Sequence, residues 1–127
     1  MTDREMLELA AKAAGIGTLV WGDKYKLGDD EIDCTDISYI RSEQPDEGDV
    51  HWNPLTDDGD ALRLAVKLGL LISHSAYKPG ENAYGFIGIA WYGQRVEFKP
   101  EKFTDDPYAA TRRAIVRAAA EIGRSMT

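Results

Sequence analysis

The chain has 127 residues, 43% of them hydrophobic, enough for a single domain 1–127 with its own core and no need of a disulfide frame or structural metal. Lys and Arg number 15 against 22 Asp and Glu, a net charge of −7, and a field of that sign argues against nonspecific binding to nucleic acid or an anionic membrane. One cysteine, no basic-then-apolar leader and no apolar run near the ~20 residues a bilayer requires point to a reducing cytoplasm rather than to secretion or membrane insertion.

Thr2-Asp3-Arg4-Glu5 has the spacing of a capping box, in which the Thr hydroxyl accepts an amide three residues on and Glu5 reaches back. A helix is expected over 3–14, with Met6, Leu9, Ala10 and Ala13 as its apolar stripe and Gly15 as its left-handed stop. Thr18 to Trp21 suits a short strand that Gly22-Asp23 turns back into Lys24 to Leu27.

From Asp29 to Asp49 nine carboxylates face one cation, Arg41, and their mutual repulsion favours a solvated segment. Residues 28–51 are therefore expected to form an acidic, largely irregular insertion in which only Ile37 to Ile40 has strand character. Trp52-Asn53-Pro54 is a turn signal, and the acids around Asp57 and Asp58 suit the positive end of a helix over 58–68. Ala61, Leu62, Leu64, Ala65 and Leu68 would be its buried side and Gly69 its stop.

Leu70 to Ser75 and Tyr84 to Tyr92 read as strands, and Gly93-Gln94 as a two-residue hairpin loop. That loop sets Trp91 opposite Val96 and Ile89 opposite Phe98. The last helix begins near Thr104-Asp105-Asp106-Pro107, buries Tyr108, Thr111, Ile115, Ala118, Ala119 and Ile122, and stops at Gly123. The fold expected is α+β: a short antiparallel β-meander of three to five strands packed with three α-helices. The order over 57–123 matches that of a double-stranded-RNA-binding domain, but Asp105-Asp106-Pro107 stands where that family grips phosphates with lysines.

Motifs for catalysis are missing: there is no phosphate-binding glycine loop, no nucleophile elbow and no His-Glu-x-x-His. Asp29, Glu31 and Asp33 alternate like ligands of a calcium loop, but Cys34 falls where the sharp turn needs glycine and Ile40 where the bidentate carboxylate belongs. Cys34, His51 and His74 lack the close pairs of a zinc site, so neither a metal nor another cofactor is expected. Arg112, Arg113, Arg117 and Arg124 are read as a solvated face of the last helix whose charges suit the helix dipole.

Two surfaces remain as candidate protein-binding sites. One is the acidic stretch, with Asp29, Asp30, Glu31, Asp33 and Asp36, which would attract a basic protein surface. The other is an aromatic sheet face with Tyr84, Phe86 and Tyr92, expected to be covered by the amino-terminal half or used for binding.

The block Trp52 to Leu68, the block Ala109 to Gly123 and the Met1-Thr2-Asp3-Arg4-Glu5 start resemble small, functionally uncharacterised proteins encoded by phages and prophages of Gram-negative bacteria, loosely the NinX-like group. The resemblance implies a phage context and the cytoplasm of a bacterial host, and brings no catalytic residues. The function expected is a non-enzymatic accessory protein that binds a host or phage protein with a basic surface and modulates or inhibits it. The alternatives are a small enzyme or metal-dependent protein using scattered carboxylates, and nucleic-acid binding through the arginine helix.

Overall fold

A computed structural model describes residues 1–41, 48–74, 86–90, 101–102 and 106–126. The elements run α1 (Asp3–Ala14), β1 (Leu19–Trp21), β2 (Lys24–Leu27), β3 (Asp30–Asp33), β4 (Ser38–Ile40), β5 (Val50–His51), α2 (Asp58–Leu68), β6 (Leu71–His74), β7 (Phe86–Ala90), β8 (Glu101–Lys102) and α3 (Pro107–Ser125). All pairings are antiparallel, in the sheets β1-β4-β5, β2-β3 and the meander β6-β7-β8. The fold is α+β, three helices with short antiparallel sheets, as the sequence pattern predicts.

Local chemistry sets the helix ends. Thr2 and Glu5 form the capping box of α1, and Gly15 closes it in the left-handed conformation. Asp57 caps α2 by accepting from the Asp60 amide, with Gly69 at its other end, and Asp106 caps α3 by accepting from the Ala109 amide just before Pro107.

The core is organised around α3, which packs against α1, α2, β7 and β8. Contact on several sides explains why its buried set, Ala110, Ala114, Ile115, Val116, Ala119, Ala120, Ile122 and Gly123, is wider than one amphipathic stripe. Tyr108, expected inside, is 70% exposed, and Gly123 is no stop: the helix continues to Ser125. In α1 the buried face is Met6, Leu7, Ala10, Ala11 and Ala14, with Leu9 and Ala13 half-buried, so the face is rotated from the expected stripe toward α3. Leu62 of α2 is likewise exposed, because this helix buries only Ala61, Leu64 and Ala65. Leu62 and Tyr108, with Ile72 and Ile115, line an open groove of about 520 Å³ between α2 and the start of α3.

Among the described residues the apolar surface of the amino-terminal half goes to the helical core. The buried face of α1 goes to α3, and Leu19 and Trp21 pack at the margin of the same core. The Trp21 indole N–H donates to Glu8 Oε1 at 3.1 Å, and the Arg4 guanidinium lies 4.5 Å over its ring. Trp52 enters the core instead of merely turning the chain, its carbonyl accepting from the buried Ser38 hydroxyl at 2.5 Å. The side chains of the proposed aromatic face, Tyr84, Phe86 and Tyr92, and the expected pairing of Trp91 with Val96 lie outside the described residues. Where β7 meets β8, Ile87 stands opposite Glu101, one residue from the Pro100 that a two-residue loop at Gly93-Gln94 would bring there.

Candidate functional site: the acidic ribbon

The acidic stretch is more ordered than its charge density suggests. Asp30–Asp33 is a strand, paired with β2 in the register Lys24–Asp33, Tyr25–Ile32, Lys26–Glu31 and Leu27–Asp30. The strand expected at 37–40 is present as β4, and Asp30–Asp33 and Val50–His51 are further strands that the expectation of a largely irregular stretch lacked. Repulsion among the acids of β3 is offset because two of them face lysines across the ladder, with Lys24 Nζ 3.9 Å from Asp33 Oδ2.

The turn is Gly28-Asp29, not Gly22-Asp23. Gly28 has φ of +66°, which two-residue hairpin loops require at their first central position. Both dipeptides are Gly-Asp, and cross-strand complementarity separates them: folding at Gly28-Asp29 sets Lys-Tyr-Lys against Glu-Ile-Asp. Gly22 has a different task. A Cβ there would collide with the Cys34 carbonyl, so the glycine permits close approach where the ribbon kinks.

The kink comes from a change of register. The Cys34 amide donates to the Asp23 carbonyl at 3.1 Å, whereas the Gly22 amide donates to the Ile37 carbonyl at 2.9 Å. The extra residues Thr35 and Asp36 form a turn closed by Ile37 N–H to the Cys34 carbonyl, at 3.0 Å. Asp33 Oδ1 accepts from the Thr35 hydroxyl at 2.6 Å and from its amide at 2.9 Å. These two hydrogen bonds hold the Asp33 carboxyl below its ordinary pKa of 3.8, the side chain-to-side chain bond contributing most and Lys24 adding a smaller pull.

Among the described residues the main contacts of the ribbon β2-β3 are between its own two strands, not with the helices. Asp29, Asp30, Glu31, Asp33 and Asp36 are all exposed, strung along the ribbon and its kink. Alternation gives the ribbon two unlike faces. One carries Lys24, Lys26, Glu31 and Asp33; the other carries Tyr25, Leu27 and Ile32, with Asp30 beside Leu27 at the turn, and there Tyr25 is 53% and Leu27 68% exposed. Lys24, Tyr25, Lys26 and Leu27 were missed as site residues; the mirror arrangement of Lys-Tyr-Lys-Leu and Asp-Glu-Ile-Asp about Gly28-Asp29 is the signal that identifies them.

Asp36 stands apart from the strand acids, at the rim of a groove of about 420 Å³ with His51, Asn53, Asp57 and Asp60. Its inner carboxylates are structural. Asp60 accepts from the Asn53 amide at 3.0 Å and from Arg63 at 2.7 Å, and Asp57 caps α2. The His51 ring is stacked edge-on against Tyr39, its cross-strand partner, with centroids 4.4 Å apart. Among the described residues no three His, Cys, Asp or Glu side chains converge as a metal site.

The arginines of α3 are not a uniformly solvated row. Arg112, whose side chain is 17% exposed, donates through Nε to the Leu55 carbonyl at 2.8 Å and through Nη1 to Asp58 Oδ1 at 2.6 Å. Arg113 donates to Asp3 Oδ1 at 3.1 Å. These two side chains tie α3 to the starts of α2 and α1. Among the described residues no helix is long and apolar enough to cross a membrane. Compared with known proteins, the chain matches no family model, no curated protein and no solved structure.

Proposed function

We propose that the protein is a non-enzymatic binding module that engages the basic surface of another protein through the ribbon β2-β3. The observation that carries this reading is the gathering of exposed acids on a solvent-exposed hairpin, backed by the exposed apolar side chains of Tyr25 and Leu27. Charge on such an element steers encounter, and the apolar row supplies area that excludes water once the partner is seated. The acids are spread along a strand rather than converged on one point, which suits a surface contact better than general acid–base or metal chemistry. The sequence resemblance supports reading this binder as a phage or prophage accessory protein that modulates or inhibits a host or phage protein in the bacterial cytoplasm.

The test is retention of partner proteins from a Gram-negative host lysate on the immobilised full chain. A specific partner should be held at ~0.1 M salt and released toward ~1 M, as the screening length falls from about 10 Å to about 3 Å. The triple variant Asp29→Asn, Asp30→Asn, Glu31→Gln should lose it, whereas Glu43→Gln, Asp46→Asn, Glu47→Gln, which removes equal charge outside the ribbon, should keep it. Equal loss in both, or retention indifferent to salt and to the ribbon triple, would overturn the reading.

A further inference from the structure

Resting on that reading, we infer that the outer edge of β3 takes up an extended, basic strand of the partner protein, of the pattern Lys/Arg–apolar–Lys/Arg, as a third strand of the ribbon.

The backbone supplies the first half of the argument. Hydrogen-bonded and non-bonded pairs alternate along an antiparallel ladder. The Cys34 amide bonds to Asp23 across the ribbon, so Ile32 and Asp30 also turn their backbone groups toward β2. Glu31 and Asp33 therefore turn their N–H and C=O groups to the outer edge. Among the described residues β3 has no neighbour there: β5 pairs with β4 on that side, through Val50–Ile40, His51–Tyr39 and the Trp52 amide on the Ser38 carbonyl, and β2-β3 remains a two-stranded sheet.

The side chains supply the second half. A strand added at this edge sets its residues directly opposite Glu31 and Asp33, on the face those carboxylates share, and the residue between them beside Ile32 on the apolar face. Cations opposite the two acids and an apolar residue beside Ile32 satisfy all three positions. The chain already contains a strand that does so from the other side: Lys24-Tyr25-Lys26 of β2.

A second copy is disfavoured as the occupant. Antiparallel pairing of two β3 edges sets carboxylate against carboxylate, and pairing of β2 on β3 of a neighbour is head-to-tail, so it gives no simple two-fold dimer. Each copy also carries a net charge of −7, which repels its like and favours a basic partner.

The experiment uses the full chain, isotopically labelled, and two synthetic peptides: one with a Lys-Val-Lys-Val-Lys core, the other identical but N-methylated on the amides that would face β3. The first should slow amide exchange at Glu31 and Asp33, and the second should bind about tenfold more weakly or worse, since methylation removes ladder donors and keeps the charge. Glu31→Gln and Glu31→Pro give an independent reading. Both remove the charge, and only proline removes the outward N–H while sparing the bonds to β2, so Glu31→Pro should bind the first peptide several-fold more weakly than Glu31→Gln. Equal binding of the two peptides, with Glu31→Pro matching Glu31→Gln, would overturn strand addition and leave charge-driven contact through the ribbon intact. Binding of neither peptide would show that the edge charges only guard against self-association. Concentration-dependent association of the chain itself, suppressed by Glu31→Pro, would assign the edge to a second copy instead. Failure of the lysate test is separate, because it removes the partner and not the ladder.

Discussion

Gly123 of α3 lies so close to Leu9 of α1 that a Cβ at residue 123 would collide with the Leu9 carbonyl. The glycine is a crossing point, and the small residues buried nearby on both helices, Ala10, Ala11 and Ala14 in α1 and Ala119 and Ala120 in α3, suit the same close approach. The backbone of one helix is the neighbour here, so the contact cannot be relieved by rotating a side chain.

Gly123→Ala should therefore destabilise the protein by about 1–3 kcal/mol, even though alanine gains about 1 kcal/mol in helix propensity at an unstrained site. Urea unfolding of the variant against the parent chain checks this. A stability gain would show that α1 and α3 are not in close contact at this point.

Arg112 and Arg113 are sequence neighbours with unlike predictions. Arg112→Ala removes a half-buried donor from the Leu55 carbonyl and breaks a pair with the exposed Asp58, and should cost about 1–2 kcal/mol. Arg113→Ala breaks a more exposed pair with Asp3 and should cost under about 1 kcal/mol. Denaturation midpoints of the two variants, compared side by side, should differ in that order. Arg112→Lys should not restore the loss, because one ammonium cannot reproduce the guanidinium fork.

Asp33 ties ribbon order to pH. Its carboxyl is lowered from 3.8 by Thr35 first, so its contribution to stability is present above the unfolded value and is lost as pH falls through the lowered folded value. Carbon-detected NMR titration of the Asp33 carboxyl should give a midpoint below 3.8. Thr35→Val deletes the hydroxyl donor and should raise that midpoint toward the ordinary value.

Gly28 and Gly22 should fail differently on substitution. Gly28→Ala forces a Cβ into a left-handed turn residue and should cost about 1 kcal/mol, felt mainly as faster amide exchange in β2 and β3. Gly22→Ala collides with the Cys34 carbonyl and should disturb the kink itself, shifting the resonances of Cys34 to Ile37. If Gly22→Ala shifted only β2 and β3, the register change would lie elsewhere.

The helices were legible because their determinants are local: Thr2 and Glu5, Asp57, Asp106 with Pro107, and Gly15 act within a turn of their own backbone. Net charge and the absence of catalytic motifs are likewise properties of the string of residues. The arginine row was misread because a guanidinium on a helix surface is charged whether it meets water or, like Arg112, a carbonyl from residue 55. For the candidate site, the acids were visible as a run, but their folding into a ribbon depended on which of two Gly-Asp dipeptides turns the chain. That choice rests on the pairing of Lys24 and Lys26 with Asp33 and Glu31 across the turn. Residue identities alone decided the caps, the charge and the pool of carboxylates. The faces the helices bury, the crossing at Gly123 and the edge that β3 presents were decided by the tertiary structure, because each depends on what stands opposite, and opposition is set by contacts distant in sequence.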